Sequence, residues 1–277
     1  SILVISSRGV RKRRLAVYLG FNIEHFDFGA GLGAALGPKS PEPDVLNYSW
    51  RDYGNRVGVW RCLELFDQLK LPAAAIINTA LYDYCPEVIE ACVRRGDELV
   101  GHGHTNSERQ GELSEVDERS LLSSCKELIR KKSKQDISGW LSPWISESAV
   151  TPDLLAEAGY RYTLNWCHDD QPMQLTTRSG RALWSIPYPQ ELNDIPMIVA
   201  RQMDGADFAD MIVDNFDEML RQSDEQPLVM GIALHPYLVG QPYRLRHLRR
   251  ALQHVVKKGK KAWFTTPGAI CDAVERN

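Results

Sequence analysis

The chain has 277 residues, with 33 Lys and Arg residues against 36 Asp and Glu residues and a formal net charge of -3. Because charges of both signs are mixed along the chain, no basic field is available to hold a polyanion, and nucleic acid is not an expected partner. No apolar run approaches the roughly 18 residues that span a bilayer, and the apolar start of the chain precedes its basic cluster, the reverse of a secretory signal. We therefore expect a cytoplasmic protein without a membrane partner.

Short apolar runs alternate along the chain with segments whose apolar residues recur at helical spacing. The run LAVYLGF at 15–21 predicts a buried strand, and Val59, Leu63 and Phe66 mark one face of a helix that ends near Pro72. Further strands are predicted at 73–78, 98–100, 139–141, 161–165, 182–186, 197–200, 228–234 and 262–264. Further helices are predicted at about 86–95, 114–132, 151–159, 208–220 and 245–255, and from 267 onwards.

The repeated order of strand and helix predicts a parallel sheet, and the number of units favours closure into a barrel. We expect one domain over 1–277, with a basic N-terminal extension at 1–14 and an irregular, Pro- and Gly-rich insertion at 29–50. The 6 cysteines are scattered without a CxxC pair, which predicts reduced structural thiols rather than a zinc knuckle or a disulfide framework.

Polar residues follow the predicted strands at the end where a parallel barrel carries its chemistry. They are Asn22, Glu24 and His25 after the first strand, His102 and His104 after 98–100, Trp144 after 139–141, Trp166, His168, Asp169 and Asp170 after 161–165, and His235 after 228–234. Histidine and carboxylate side chains gathered at strand ends indicate an active site.

Six motifs occur along the chain in the order Asn-x-Glu, GHGxTN, GWLSPW, HDDxP, LNDIP and LHPYLVGQPYR. In this order the sequence resembles the polysaccharide deacetylase family, or NodB homology domain, from about residue 15 to the C-terminus. It looks most like the branch that holds intracellular peptidoglycan-deacetylase-like proteins and metal-independent allantoinases.

The resemblance implies an α/β fold, a distorted or incomplete (β/α) barrel with seven or eight strands, that hydrolyses an amide. In metal-dependent members of the family, an acidic residue after the first strand and two histidines spaced H-x-x-x-H bind the ion. These positions correspond to Glu24, His102 and Asn106. Because an amide oxygen is a poorer zinc ligand than imidazole, the expected cofactor is either none or one divalent metal, zinc if any.

Amide hydrolysis needs an activated water and an acid that protonates the leaving nitrogen. Glu24 could deprotonate the water or ligate an ion, and His235 matches the family's histidine in its last motif and would be the general acid. Asp169 or Asp170 could keep His235 protonated, or could bind substrate N–H groups. An ordinary turn would explain the two aspartates equally, and the same holds for Asn193 and Asp194.

The candidate substrate-binding residues are Asn22, His104, Trp144, Trp166 and Asp170. His104 could merely line the rim, and large aromatic side chains are more often part of a core than of a pocket wall.

Three functions remain open at this point. The first is a hydrolase of a non-peptide carbon–nitrogen bond in a small intracellular amide, ureide or cyclic imide. The alternatives are a metal-dependent carbohydrate N-deacetylase, acting on peptidoglycan or chitooligosaccharides, and a non-catalytic binding protein, suggested by Asn106. The resemblance also implies a homo-oligomer, a dimer or tetramer, with a small-molecule amide or a sugar as its substrate.

Overall fold

The computed structural model describes residues 14–29 and 41–276. Its strands are β1 Leu15–Ile23, β2 Ala73–Ile77, β3 Glu98–Gly101, β4 Gly139–Trp140, β5 Tyr162–Thr163, β6 Met173–Leu175, β7 Leu183–Ser185, β8 Leu228–Leu234 and β9 Ala262–Phe264. Its α-helices are α1 Val45–Tyr53, α2 Val59–Leu69, α3 Leu81–Tyr84, α4 Pro86–Arg95, α5 Glu115–Ser133, α6 Thr151–Glu157, α7 Gly205–Gln222, α8 Pro236–Val239, α9 Pro242–Lys258 and α10 Pro267–Glu275.

The strands form one sheet in the order β6-β7-β5-β4-β3-β2-β1-β8, with β9 paired to β1, and all pairs are parallel except β6 with β7. The sheet curls into a barrel that does not close fully between β8 and the opposite end, where β6 pairs with β7. Backbone hydrogen bonds from Ala233 to Leu192 and from Val229 to Asp170 cross this gap. The expected distorted, incomplete barrel is therefore confirmed.

Both faces of the central strands are covered, which explains why they read as continuous apolar runs. Every residue of β1 and β8 is buried. On one face, Tyr18, Tyr162 and Tyr188 belong to a cluster that includes Ile270 and neighbouring residues of α10. The other face packs against the amphipathic helices. Because apolar side chains fill this interior, polar groups collect at the carboxyl ends of the strands.

Three predictions about elements need correction. The segment 197–200 is not a strand but part of a π-helical turn, Ile195–Ala200, in which Pro196 removes a backbone donor that a ladder would need. Residues 45–50 of the expected irregular insertion belong to α1, which Asp44 caps by accepting a hydrogen bond from the backbone of Asn47. The antiparallel strand β6 was not predicted. The rest of the insertion at 30–40, and the basic extension at 1–13, lie outside the described residues.

All 6 cysteines have free thiols and five of them are buried, so the prediction of reduced structural thiols is confirmed. Burial raises the pKa of Cys92 and Cys125 to about 12, which keeps both thiols protonated and unreactive. Within residues 14–29 and 41–276, no helix is both long and apolar enough to cross a membrane.

A π-helical turn, Gly54–Gly58, joins α1 to α2 and packs closely against α8. A Cβ atom built on Gly54 would lie 2.7 Å from the backbone nitrogen of Tyr237, and one on Gly58 would lie 2.1 Å from the carbonyl oxygen of Pro236. Only glycine allows backbones to approach this closely. The two glycines therefore fix α1 beside the segment that follows His235.

We expect Gly58→Ala to destabilise the fold by roughly 1–3 kcal/mol or more, because the added methyl group would overlap a backbone oxygen that cannot move alone. In a helix with free space, the same change would stabilise by about 0.5–1 kcal/mol. The free energy of unfolding, measured in urea, therefore tests the contact between Gly58 and Pro236, because it falls if the contact is close and rises if there is free space. Arg56→Ala, at an exposed position of the same turn, is the matched control. A variant as stable as the parent chain would contradict the close approach.

Candidate active site

Glu24 lies directly after β1, and its side chain is 8% exposed. The side-chain amide of Asn55 donates a 2.8 Å hydrogen bond to the backbone carbonyl of Glu24 and holds it in place. Glu24 Oε1 lies 3.4 Å from His102 Nε2 and 3.5 Å from His235 Nε2. Three residues that are far apart in sequence therefore converge at the carboxyl ends of β1, β3 and β8.

His102 follows β3 and is buried. Its Nδ1 lies 2.6 Å from the carbonyl oxygen of Leu141. A carbonyl oxygen can only accept, so Nδ1 carries a proton and donates it. This bond fixes the ring orientation and directs Nε2 toward Glu24, as a partner on the remote nitrogen commonly does for a functional histidine.

His235 follows β8 and contacts one carboxylate at two points. Its Nδ1 lies 2.6 Å from Oδ1 of Asp194, and its backbone N–H donates a 2.7 Å hydrogen bond to Oδ2 of the same residue. Asp194 is fully buried. The imidazole is therefore held in one orientation, with Nε2 facing Glu24.

The charged side chains of this cluster shift one another's pKa values. Burial alone would raise the pKa of Glu24, but His235 and His102 hold it well below its usual range. Burial alone would lower the pKa of His235, but the carboxylates of Asp194 and Glu24 raise it to about 9. At neutral pH the pair is therefore a carboxylate and an imidazolium, which are the ionisation states of a general base and a general acid.

Arg51 on α1 also reaches this cluster, with Nη1 3.5 Å from Glu24 Oε2. Its guanidinium lies over the ring of Phe26, at 3.5 Å from the centroid, and 5.1 Å from the centroid of Tyr237. Both Nε and Nη1 are buried and have no hydrogen-bond partner among residues 14–29 and 41–276. The cation is thus held by ring faces, and its donor edge stays free.

A cavity of about 10 Å³, lined by Glu24, His25, Phe26, Tyr48, Arg51, Asp52 and Asn55, lies beside this cation. Glu24 Oε2 and His25 Nε2 are also buried, without a hydrogen-bond partner in the part of the chain that the structure describes. The volume corresponds to about one water molecule.

Asn106 has a structural hydrogen-bond network of its own. Its Oδ1 accepts a 3.0 Å hydrogen bond from Nδ2 of Asn78, and its backbone N–H donates to the carbonyl of His25. Asn78 also accepts from the backbone of His25 and donates to the carbonyl of His102. These two asparagines therefore tie together the segments that carry Glu24 and His102.

The expected metal ligands do not fit a catalytic zinc centre. Glu24 and His102 face each other, but the third candidate, Asn106, offers a neutral oxygen already engaged by Asn78. The cations of His235 and Arg51 flank the same carboxylate and would repel an ion. Among the residues that the structure describes, no three or more His, Cys, Asp and Glu side chains are grouped so as to hold a metal. Three protein ligands are the usual requirement.

Asp169 and Asp170 lie away from this cluster, so the carboxylate beside His235 is Asp194 and not Asp169. The carbonyl of Asp170 accepts from the backbone of Val229, at the opposite end of β8 from His235. Asp169 Oδ1 accepts from the backbone of Gln171, as in an ordinary Asx turn. Both aspartates line a cavity of about 370 Å³ at the open seam of the barrel. Although larger, this cavity is not lined by Glu24 or His235.

The remaining candidates differ in burial and in their contacts. Asn22 is buried, and its Nδ2 lies 3.0 Å from the hydroxyl of Tyr188, so its polar groups serve the barrel interior. His104 is exposed and contacts Thr79, not Glu24. Trp144 and Trp166 are 43% and 45% exposed. Trp144 donates to the carbonyl of Asn106 at 2.9 Å, which places it near the site.

Sequence reasoning missed Arg51, Asp194 and Asn78 as site residues. The LNDIP motif contained the signal for Asp194, but its residues were equally consistent with a turn. Asn78 directly follows an apolar strand, the position that marked the other candidates. No signal singled out Arg51, since a lone arginine on a helix usually faces solvent.

Comparisons with known proteins agree on one family. Residues 43–163 match the model of the family described as polysaccharide deacetylase. A peptidoglycan deacetylase of Helicobacter pylori is 24% identical over 278 residues, covering 89% of this chain and 92% of that protein.

Two solved structures share the fold over almost their whole length. A PuuE allantoinase superposes with a TM-score of 0.87 at 25% identity, covering 96% of this chain and 91% of the other. A probable polysaccharide deacetylase from Pseudomonas aeruginosa PAO1 superposes with a TM-score of 0.86 at 25% identity, covering 96% of this chain and 92% of the other.

Proposed function

We propose that this chain, which belongs to the polysaccharide deacetylase family of hydrolases that cleave carbon–nitrogen amide bonds, hydrolyses a small amide, ureide or cyclic imide. The observation that carries the proposal is the buried cluster of Glu24, His102, His235 and Asp194, in which a carboxylate and an imidazolium face each other at 3.5 Å.

In the proposed mechanism, Glu24 is the general base that takes a proton from water. Its depressed pKa keeps it ionised at neutral pH. His235 is the general acid that gives the proton on Nε2 to the leaving nitrogen. Asp194 keeps that imidazole charged and oriented, in the way that a buried carboxylate supports a catalytic histidine. His102 orients the carboxylate of Glu24.

Two features favour a small substrate over a polymer. The reactive side chains are 8% exposed or less, so a substrate has to enter an enclosed site. The side chains around Glu24 do not fit a zinc centre. The protein also shares its fold, at 25% identity, with a PuuE allantoinase. Trp144 and Trp166, at the strand ends, are our candidates for walls of the substrate site.

The second candidate is a metal-dependent carbohydrate N-deacetylase. The relative from Helicobacter pylori, named as a peptidoglycan deacetylase, favours it. The third possibility is a non-catalytic binding protein on the same scaffold. It is not favoured, because Glu24 is ionised and His235 is protonated, as a general base and a general acid require.

A substrate screen with chelator-treated and zinc-loaded protein tests the proposal. The substrates are cyclic ureides, cyclic imides, simple amides and N-acetylglucosamine oligomers. We expect turnover of a ureide, imide or amide that is unaffected by chelation. Turnover of the acetylated oligomers alone, requiring one equivalent of zinc, would establish the second candidate. Binding without any turnover would establish the binder.

A further inference from the structure

The contacts of Arg51 are not explained by the roles given above. Its side chain is 7% exposed, yet two of its buried nitrogens have no hydrogen-bond partner among the described residues. Leaving a buried donor unsatisfied costs roughly 1–3 kcal/mol, more for a charged group. Such a group calls for an explanation, and a ligand that is bound during function is one.

We propose that the small cavity beside Glu24 holds the water molecule that attacks the substrate, and that Arg51 activates this water. The inference rests on the hydrolase function proposed above. It adds a site for the nucleophile and assigns Arg51 as a catalytic residue.

The polar atoms around the cavity suit water better than an ion. Arg51 Nε and Nη1 can only donate, whereas Glu24 Oε2 can only accept. His25 Nε2 also lies beside the cavity and adds a further polar partner. An anion would be repelled by Glu24 and Asp52, and a cation would meet the positive charge of Arg51. Water both donates and accepts, and the volume of about 10 Å³ admits about one molecule.

The position of Arg51 gives its charge a chemical effect. The 3.5 Å distance between Nη1 and Glu24 Oε2 is too long for a good hydrogen bond, and a water in the cavity beside the pair can bond to both atoms. A water that accepts from a fixed cation loses a proton more readily, because the positive charge stabilises hydroxide. Stacking on Phe26 and Tyr237 holds the guanidinium without consuming its donors. Arg51 thus supplies a positive charge where the donor set does not suit a metal.

The step balances as an ordinary hydrolysis. Water gives one proton to Glu24 Oε2, and its oxygen forms a bond to the carbonyl carbon of the substrate. The carbon–nitrogen bond then breaks as the nitrogen takes a proton from Nε2 of His235. Arg51 acts through its charge alone and exchanges no proton in this step. The products are a carboxylic acid and an amine or urea nitrogen, and the proton on Glu24 restores His235.

Replacing Arg51 in the full-length protein tests the inference. We expect Arg51→Gln to lower kcat on the order of 10²-fold with KM nearly unchanged, the size seen when one electrostatic donor is removed. Added guanidinium ion is expected to restore part of the lost kcat in Arg51→Ala. Arg56→Ala, an exposed arginine of the adjacent turn, is expected to keep the parent rate. A kcat within threefold of the parent in folded Arg51→Gln would overturn the inference, and so would a loss confined to KM.

A crystal structure tests the inference independently of activity. A high-resolution crystal structure of the parent protein is expected to contain a water within hydrogen-bond distance of both Glu24 Oε2 and Arg51. A cavity without that water would overturn the inference even if the hydrolase function holds. Should Arg51→Gln fail to fold, Arg51→Lys keeps the charge and the crystallographic result still decides. A water present in a protein with no turnover would instead count against the proposed function alone.

Discussion

Glu24→Gln is expected to lower kcat about 10³-fold or more, because the amide keeps the size of the side chain and cannot accept a proton from water. The buried carboxylate also faces two cations, His235 and Arg51, so its loss leaves them uncompensated. We therefore expect the free energy of unfolding to fall as well. Steady-state kinetics and urea unfolding of the same preparation measure both effects.

Glu64→Gln provides the matched control, since Glu64 is an exposed carboxylate on α2 that accepts a 3.1 Å hydrogen bond from Gln68 of the same helix. Activity and stability are expected to match the parent. If Glu24→Gln retained a tenth of the parent rate while remaining folded, Glu24 would not be the base.

Asp194→Asn is expected to lower kcat on the order of 10²-fold near neutral pH. In the parent, Asp194 and Glu24 raise the pKa of His235 to about 9, so a general acid at this position is protonated up to about that pH. Without Asp194 the burial of the imidazole remains, and the pKa falls toward or below its ordinary value. The alkaline limb of the kcat/KM profile is therefore expected near pH 9 in the parent and at lower pH in the variant.

The same substitution predicts a change in how stability depends on pH. A histidine whose pKa is higher in the folded state than in the unfolded state stabilises the protein fully at a pH below the pKa of the unfolded state. This stabilisation is lost as the pH rises through the pKa of about 9 that His235 has in the folded protein. The variant is expected to lack that alkaline loss. Asp217→Asn is a close control, because Asp217 pairs with His254 at 2.8 Å on the surface. An unshifted alkaline limb in Asp194→Asn would show that His235 is not the acid.

The sequence was sufficient to predict the barrel and most of its strands. Long buried strands such as β1 and β8 are continuous apolar runs because both of their faces are covered, and this pattern is hard to mistake. The same rule located Glu24, His102 and His235, since each of them directly follows a strand. The prediction of a strand at 197–200 was wrong, because a short apolar segment has the same sequence pattern in a strand and in a π-helical turn.

The partners of these residues were harder to predict, because they depend on contacts between distant segments. Asp169 and Asp194 are both acidic residues next to turn-forming residues, and only the pairing of 192–193 with β8 decides which one meets His235. Arg51 reaches Glu24 because Gly54 and Gly58 let α1 approach α8 closely. Local patterns in a sequence do not specify such approaches.

The incomplete closure of the barrel has a consequence for the acid of the cluster. Asp194 belongs to neither edge strand, and its neighbour Asn193 is joined to Ala233 by an isolated bridge across the gap. Opening of that bridge would draw Asp194 away from His235, and the imidazole would then be a weaker base that loses its proton more readily. The ring nitrogen NMR signals of His235 would then report whether the bridge between Asn193 and Ala233 is open or closed.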